Sequence, residues 1–252
     1  MHNMGTLQLG IEKGTDITAK TKILAVIGDP IEHSMSPKMH NAALRDLGLD
    51  YVYVAYHILP KDLENAVNGF RALQIQGINV TIPHKVNIMQ YLDEIEPTAQ
   101  KIGAINTIKN ESGVLKAKNT DAEGALKAIK DVGFNPKNKK AVVLGAGGAA
   151  RAITFFLCKE IDHLTIINRA EDFHFATDLC ARLKETYPIP VECIQMGSDV
   201  VQKTIEAADL LINTTSVGMS PNVDAIPVES SLLHPNLFVF DIIYNPIETK
   251  LL

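Results

Sequence analysis

The sequence predicts an α/β protein of two domains, each built on an open, mostly parallel sheet. Three observations support this prediction. Strand-like apolar runs alternate with helical runs along the chain, which is typical of parallel sheets covered by helices. A hairpin and a helix over residues 104–132 interrupt the alternation and form the best candidate junction between two halves. A glycine-rich loop after residue 144 follows an apolar strand and opens an apolar helix, so the second domain is predicted to be Rossmann-like.

The first half alternates strands with helices. The predicted strands are rich in β-branched and aromatic residues, and they read KILAVIG, YVYVAYHI and GINVTIP. The predicted helices, in which apolar side chains recur at helical spacing, cover residues 36–47, 60–73 and 86–92. The junction then contains a hairpin that turns at Glu111-Ser112-Gly113, and a helix over residues 122–132 that Gly133 ends.

The second half repeats the alternation with shorter connections. Its predicted strands read KKAVVLG, HLTIINR, PVECIQ, DLLINTT and LFVFDII. Its predicted helices cover residues 149–159, 171–187 and 200–208. Strands that alternate with helices in this way predict a parallel sheet with helices on both faces.

The composition excludes several classes of function. The 252 residues have a formal net charge of -5, which argues against a general binder of nucleic acid or of anionic membranes. The three cysteines show no CxxC or CxxH spacing, so we interpret them as reduced thiols and expect no metal site. The sequence shows neither a secretory signal nor a long uninterrupted apolar run, and a cytoplasmic protein is therefore expected.

The glycine-rich loop places Gly145, Gly147 and Ala150 in a G-x-G-x-x-A frame. The first glycine permits a tight turn, the second lets the backbone approach a pyrophosphate, and the third small residue lets the helix pack against the strand. The amino end of the helix then offers N–H groups and a positive dipole to phosphates. Glycines also serve ordinary turns, but the strand before the loop and the helix after it favour a dinucleotide site.

The end of the next strand bears on the choice of dinucleotide. An Asp or Glu there bonds the ribose hydroxyls of NAD, whereas an Arg accommodates the 2′-phosphate of NADP. This chain has Asn168-Arg169 at that point, so NADP is favoured. Glu171 and Asp172 follow closely and weaken the attraction for a phosphate, and Arg169 also has the plain interpretation of a solvated charge at a strand end.

Two serines precede the first predicted helix, in the segment HSMSP. Ser36 followed by Pro37 has the form of a helix N-cap with proline at the first helical position, which explains one serine without any function. It does not explain Ser34. Two hydroxyl groups near a helix amino terminus are predicted to form a seat for a carboxylate or a phosphate.

Further polar side chains follow the strand ends of the first half. This set consists of Asn79, Thr81, Lys85, Asn106, Asn119, Thr120 and Asp121. Some members have plain alternatives, since Lys85 can be a solvated charge and Thr120-Asp121 an ordinary helix start. Ligands collect at the carboxyl ends of strands in open α/β sheets. Together these side chains are therefore predicted to bind a hydroxylated ring.

These residues lie in motifs that resemble those of the shikimate dehydrogenase family. The matching segments read GDPIEHSMSP, NVTIPHK, GAINTI, NTDAEG, GAGGAARA, NRA, INTTSVGM and DIIYNPIET, in the family's order and at similar spacing. The resemblance covers residues 22–252, and the combined motifs are far more specific than the glycine loop alone. It implies an oxidoreductase that reversibly reduces 3-dehydroshikimate to shikimate with NADPH, in the shikimate pathway of aromatic amino-acid biosynthesis.

The resemblance also implies roles for individual residues. Lys85 and Asp121 match the catalytic pair, and Ser34 and Ser36 match the pair that holds the substrate carboxylate. The residues expected to bind the rest of the substrate are Asn79, Thr81, Lys85, Asn106, Asp121 and Tyr244. The residues expected to bind NADP are Gly145, Ala146, Gly147, Gly148, Ala149, Asn168, Arg169, Thr214, Thr215, Val217 and Met219. No metal is expected.

The domain organisation that the resemblance implies is a substrate-binding domain over residues 1–120, with 1–20 as a flexible tail, and an NADP-binding domain over residues 121–252. The family continues past ETKLL with a Gly-rich turn, a substrate-binding Gln and a helix that returns to the first domain. We therefore expect that closing helix to be absent from this chain. Ala170 stands where the family commonly has Thr, and Phe173 where a second basic residue often occurs, so these two positions depart from the family's pattern for NADP.

Two interpretations of Lys85 follow. Either its ammonium transfers the proton to the substrate oxygen, with Asp121 orienting it, or it mainly stabilises the developing alkoxide. Two other functions stay open: an NAD-using quinate/shikimate dehydrogenase, and a non-catalytic metabolite-binding protein, which we would expect to lack Lys85 or Asp121. The expected partner is the small-molecule substrate, with neither nucleic acid nor membrane. The sequence does not determine the oligomeric state, and a homodimer is compatible with it.

Overall fold

The computed structural model describes residues 17–252, and these residues form two sheets, one after the other along the chain. Helices lie between the strands in both halves. The predicted fold class, α/β with mostly parallel sheets in two halves, is confirmed. The tail predicted over residues 1–20 falls outside the described residues up to residue 16.

The first sheet has six strands. They are β1 Lys22–Gly28, β2 Tyr51–His57, β3 Gly77–Val80, β4 Glu94–Ile95, β5 Thr107–Glu111 and β6 Val114–Lys118. Their order in the sheet is β2-β1-β3-β5-β6-β4. β1 pairs in parallel with both β2 and β3, so the carboxyl ends of these three strands lie at one edge of the sheet. β5 runs antiparallel to β3 and β6.

The helices of this half are α1 Ser36–Asp46, α2 Leu63–Ala72, α3 His84–Asn87 and α4 Pro97–Ile102. α2 buries Leu63, Val67 and Phe70, which lie on one helical face because they are spaced at four and three residues. This face packs with buried strand residues such as Ile27 and Ile78 in the first hydrophobic core.

The hairpin between β5 and β6 turns at Ser112-Gly113, as predicted. Both residues have positive φ, 54° for Ser112 and 94° for Gly113. A two-residue turn of this kind matches the right-handed twist of the flanking strands.

The second sheet has five strands, and every pair in it is parallel. The strands are β7 Lys140–Leu144, β8 His163–Asn168, β9 Val191–Gln195, β10 Leu210–Asn213 and β11 Phe238–Asp241. Their order is β11-β10-β7-β8-β9, so the chain reverses its direction of winding between β7 and β10. Ligands of doubly wound sheets bind beyond the carboxyl ends of the strands at such a reversal.

The helices of the second half are α5 Asp121–Asp131, α6 Gly148–Leu157, α7 Phe173–Thr186 and α8 Val200–Glu206. β7 is buried along four consecutive residues, Ala141 to Leu144, because helices cover both faces of the sheet. Ile129 of α5 packs in the same core as Val143 of β7.

The largest differences between the predicted elements and the structure lie between residues 86 and 102. The helix predicted over residues 86–92 is the short α3 followed by a 3-10 turn, Ile88–Tyr91. β4 and α4 were not predicted. β4 has only two residues, and its partner β6 lies far along the chain, so neither strand periodicity nor a local turn signals it.

Within residues 17–252 no helix has the length and apolar character needed to cross a membrane. The same residues contain no group of three or more His, Cys, Asp or Glu side chains arranged to hold a metal ion.

Candidate active site

A cleft of about 1100 Å³ lies between the carboxyl edges of the two sheets. Ligand pockets commonly measure roughly 300–1,000 Å³, so this cleft has room for more than one small ring. One wall comes from the first half and contains most of the predicted substrate residues, Ser34, Ser36, Asn79, Thr81, Lys85 and Asn106. The opposite wall contains the glycine loop after β7 and the residues after β10.

The serines lie at the amino end of α1, and both are partly exposed to the cleft. Ser36 is the first helical residue and Met35 is the N-cap, so the interpretation of Ser36 as the N-cap was wrong. The hydroxyl oxygen of Ser34 instead accepts a hydrogen bond from the backbone N–H of Ser36 at 3.3 Å. An anion placed here would meet two hydroxyl groups and the positive end of the helix dipole.

Asn41 positions α1 on the sheet. Its side-chain amide donates to the backbone carbonyl of Tyr53 at 2.8 Å, and its oxygen accepts from the backbone N–H of Tyr53 at 2.9 Å. The helix that carries the serines is therefore tied to the central part of β2.

Tyr53 is a buried residue that the sequence analysis missed. Its hydroxyl donates to the side-chain oxygen of Asn79 at 2.6 Å, and its ring stacks on His40 at 4.2 Å between centroids. Burial raises the pKa of Tyr53 above its ordinary value, and a hydrogen bond with the Ser36 side chain opposes this in part. Tyr53 thus connects Ser36 to Asn79. Within the β-rich segment YVYVAYHI, one tyrosine gives no separate signal of such a role.

Lys85 projects from the first turn after β3, in α3. Its neighbour His84 is buried, and the ring N–H of His84 donates to the carbonyl of Ile58 at 2.6 Å. The backbone carbonyl of Lys85 accepts from the N–H of Ile105 at 2.9 Å. These bonds hold the backbone of Lys85 in place on two sides.

The ammonium of Lys85 meets the carboxylate of Asp121. The Lys85 Nζ to Asp121 Oδ2 distance is 2.5 Å, and the two side chains are 14% and 30% exposed. Asp121 is the first residue of α5, where the helix dipole favours a carboxylate. Two oppositely charged groups from different segments therefore share one partly buried position in the cleft.

Asn106 holds the same carboxylate from the other side. Its amide nitrogen donates to Asp121 Oδ1 at 2.7 Å and to Thr120 Oγ1 at 2.8 Å. Its oxygen accepts from the backbone N–H of Thr120 at 3.0 Å. Asn106 is 8% exposed, and in this arrangement it orients Asp121. Asn119 contributes as well, since its oxygen accepts from the backbone N–H of Asp121 at 3.0 Å.

The glycine loop has three glycines with three different surroundings. Gly145 has a φ of +97°, and an added Cβ would lie 2.9 Å from Thr214 Oγ1. Gly147 is the N-cap of α6, and a Cβ there would meet no described atom within 4 Å. A Cβ on Gly148 would lie 2.8 Å from Lys85 Cβ. The loop therefore directly contacts the wall of the cleft that contains Lys85.

The loop has the features of a dinucleotide site. Among the described residues, no side chain caps α6, and the first residues of this helix, Gly148 and Ala149, line the cleft. The open space before Gly147 lets a phosphate approach the backbone, as the sequence predicts. The small residue after the glycines, Ala150, is fully buried against the sheet.

Arg169 lies at the end of β8 with a 71% exposed side chain. Its Nε donates to the carboxylate of Asp172 at 2.6 Å, so the guanidinium is paired within its own turn. Asn168 donates to the backbone carbonyl of Asp172 at 2.8 Å. Neither Asn168 nor Arg169 lines the cleft.

The remaining predicted residues divide between the cleft and its surroundings. Those that line the cleft are Asp121, Ala146, Gly147, Gly148, Ala149, Thr214, Thr215, Met219 and Tyr244. Gly145 and Val217 are not among the lining residues, although each adjoins one that is; Val217 is 37% exposed.

Asp241 anchors the segment that carries Tyr244, and sequence analysis assigned it no role. Its carboxylate accepts from the backbone N–H of Ile243 at 3.0 Å and from the Thr249 hydroxyl at 2.8 Å. It also accepts from the amide of Asn213 at 3.1 Å, which ties the segment to the end of β10. Tyr244 itself is 60% exposed at the cleft.

Comparison with known proteins agrees with this architecture. Residues 26–108 match the family model described as shikimate dehydrogenase substrate binding domain. The chain is similar to shikimate dehydrogenase (NADP(+)) of Methanopyrus kandleri, with 44% identity over 239 residues that cover 94% of this chain and 82% of that protein.

Two solved structures extend the comparison. A shikimate 5-dehydrogenase from Listeria monocytogenes in complex with shikimate and NAD superposes with a TM-score of 0.82 and 36% identity, covering 94% of this chain and 84% of that chain. A shikimate dehydrogenase in complex with NADP+ superposes with a TM-score of 0.82 and 43% identity, covering 95% of this chain and 82% of that chain. The resemblance inferred from the motifs is thereby confirmed. This chain belongs to the shikimate dehydrogenase family.

Proposed function

We propose that this protein reversibly reduces 3-dehydroshikimate to shikimate with NADPH, as part of aromatic amino-acid biosynthesis. The observation that carries the proposal is the Lys85–Asp121 pair, held 2.5 Å apart on one wall of a cleft whose other wall is a glycine loop. Membership of a family whose relatives are named as NADP(+)-dependent shikimate dehydrogenases supports the same reaction and the same cofactor.

The cofactor would be held by residues of the second half. The loop over residues 145–149 would bind its pyrophosphate, and Asn168 and Arg169 the ribose-phosphate at the end of β8. Thr214, Thr215, Val217 and Met219 would contact the part nearer the substrate. When bound, NADPH supplies the hydride for the carbonyl carbon of the substrate.

The substrate would be held mainly by residues of the first half, with Tyr244 contributed by the second half. The hydroxyl groups of Ser34 and Ser36 would bind its carboxylate at the amino end of α1. Thr81 and Tyr244 would contact ring hydroxyls, together with Asn79 and Asn106. In the present arrangement the polar atoms of Asn106 are directed at Asp121 and Thr120, so we assign it mainly to orienting the carboxylate.

Lys85 would complete the reduction. As the carbonyl carbon gains a hydride, its oxygen needs one proton to become a hydroxyl group, and the Lys85 ammonium would donate it from Nζ. Asp121 would direct that ammonium at the substrate oxygen and accept a hydrogen bond from a ring hydroxyl. In the reverse direction the neutral amine would take the proton back.

The function is tested by measuring formation of the reduced cofactor in four assays. Shikimate and quinate are each supplied with NADP+ and with NAD+. We expect the shikimate and NADP+ combination to have the highest kcat/KM. A protein that binds shikimate but turns over none of the four combinations would be a metabolite-binding protein and would contradict the proposal.

Replacement of both serines, Ser34→Ala with Ser36→Ala, should raise KM for shikimate. Hydrogen bonds to a charged group contribute about 1.5–3 kcal/mol each, so the loss of two should raise KM by about 10²- to 10⁴-fold. The Kd for NADP+, measured by titration, should stay unchanged because the serines lie on the other wall. Ser230→Ala, an exposed serine in the second half, is the control. An unchanged KM would reject the carboxylate seat.

Replacement of Asp172 by asparagine should raise the preference for NADP+ over NAD+. Arg169 is now paired with Asp172, and a 2′-phosphate must compete with that carboxylate for the guanidinium. Exposed ion pairs are worth about 0.2–1 kcal/mol, so the ratio of kcat/KM for the two cofactors should rise by about 1.4- to 5-fold. Glu171→Gln is the matched control, since this substitution removes the same charge from a neighbouring residue that does not pair with Arg169. Equal effects of both variants would show that the pairing itself is irrelevant.

Three further assignments are proposals as well. We place the domain boundary at residues 120/121, supported by the packing of Ile129 with Val143 of β7 in the core of the second half. We place the protein in the cytoplasm, supported by its buried unpaired thiols, Cys158 and Cys180. We retain a homodimer as the assembly to be tested by light scattering.

A further inference from the structure

Gly148 lies in direct contact with the catalytic lysine of the opposite wall. A Cβ built on Gly148 would lie 2.8 Å from Lys85 Cβ, 3.1 Å from its Cδ and 3.4 Å from its Cγ. The aliphatic stem of Lys85 thus passes across the first residue of α6, which a side chain would prevent.

The backbone of Gly148 does not itself require glycine. Gly148 is the first residue of α6, and its φ lies outside the left-handed region that Gly145 occupies. Alanine has the highest intrinsic helix propensity. The requirement for glycine therefore comes from Lys85 and not from the local conformation.

Lys85 cannot easily yield to a side chain at residue 148. The nearest atom is its Cβ, whose position follows the backbone and not the flexible end of the side chain. That backbone is held by the bond from the Ile105 N–H to the Lys85 carbonyl and by the buried His84 ring on Ile58. The clash would be relieved only if the two walls moved apart.

We propose that Gly148 is a positioning residue for Lys85: its missing side chain lets the lysine stem lie against the glycine loop and so sets the ammonium at its working distance from the cofactor. This inference rests on the proposed function. It assigns to Gly148 a role different from that of Gly147, which faces open space and is free to receive a phosphate.

The test compares Gly148→Ala with its neighbour Gly147→Ala. We expect Gly148→Ala to lower kcat by at least about 10-fold even at saturating NADP+, since an interaction of the transition state is lost and higher cofactor occupancy cannot restore it. Gly147→Ala should show the reverse, a raised Kd for NADP+. A Gly148→Ala variant with parental kcat, or one that loses only NADP+ affinity, would overturn the proposal.

A double-mutant cycle tests whether the effect passes through Lys85. In a Lys85→Gly background, Gly148→Ala should cost less than about 2-fold in residual kcat, because both the opposing Cβ and the ammonium are gone. The same loss in both backgrounds would contradict a role exerted on the lysine.

A stability cycle provides a readout without substrate or cofactor. Gly148→Ala should lower Tm in the parent but not in a Lys85→Gly background, where the opposing Cβ is absent. An equal fall in Tm in both backgrounds would show that Gly148 acts without Lys85, and this cycle stays decisive if Gly148→Ala alone folds poorly. A parent protein inactive on shikimate would contradict the proposed function, whereas the Tm cycle would still decide the contact.

Discussion

Lys85→Ala is expected to lower kcat for shikimate oxidation by about 10²- to 10⁴-fold, the range that a positioned general acid or base contributes. The reason is that, among the described residues, Lys85 is the only lysine whose ammonium lies within hydrogen-bond distance of Asp121. The measurement is kcat and KM with saturating NADP+, together with the Kd for NADP+ by titration. We expect the Kd for NADP+ to stay close to that of the parent.

Lys61→Ala is the matched control for this variant, because Lys61 is an exposed lysine of the same domain, remote from the cleft. Its kcat should equal that of the parent. If Lys85→Ala retains turnover within a few-fold of the parent, Lys85 is not the proton donor. A loss of kcat that Lys85→Arg recovers would instead favour electrostatic stabilisation of the alkoxide, since a guanidinium keeps its charge but does not release a proton.

Asp121→Asn is expected to lower kcat by about 10²-fold and to raise KM for shikimate. The carboxylate now accepts from two donors, Lys85 at Oδ2 and Asn106 at Oδ1. An amide has the same shape but only one acceptor oxygen, so one of these donors would face an NH₂ group. Lys85, with a side chain only 14% exposed, would also lose the charge that balances it.

Asp131→Asn provides the control on the same helix. Asp131 is the last residue of α5 and forms an exposed ion pair with Lys127, one turn before it. Pairs of this kind contribute little, and kcat should change by less than about 2-fold. Combining Lys85→Ala with Asp121→Asn should cost no more than the larger single effect, because the two groups act as a unit. Additive losses would mean that Asp121 acts on the substrate without Lys85.

The fold illustrates what local patterns predict. β7 and α2 were correctly predicted, because an unbroken apolar run and a helical apolar face are properties of the segment itself. The turn at Ser112-Gly113 was predicted for the same reason. β4 was not predicted, since a two-residue strand exists only through its pairing with β6. α4 was not predicted either, and its six residues are too few for a clear helical periodicity.

The candidate site divides in a similar way. Lys85, Asp121 and the serine pair follow from residue types at strand and helix ends. Tyr53 does not, because its hydroxyl is buried by α1 and directed at Asn79, and a strand pattern carries no information about either. The pairing of Arg169 with Asp172 is likewise a choice of side-chain conformation that spacing alone does not reveal.

The sequence by itself determined the two α/β halves, the glycine loop and the membership of a family, since these depend on periodicity and on short motifs. Only the tertiary structure decided that Asn106 orients Asp121 and that Gly148 accommodates the stem of Lys85. The physical reason is that such contacts join segments distant in the chain, and their geometry depends on how helices and sheets pack, which no local pattern encodes.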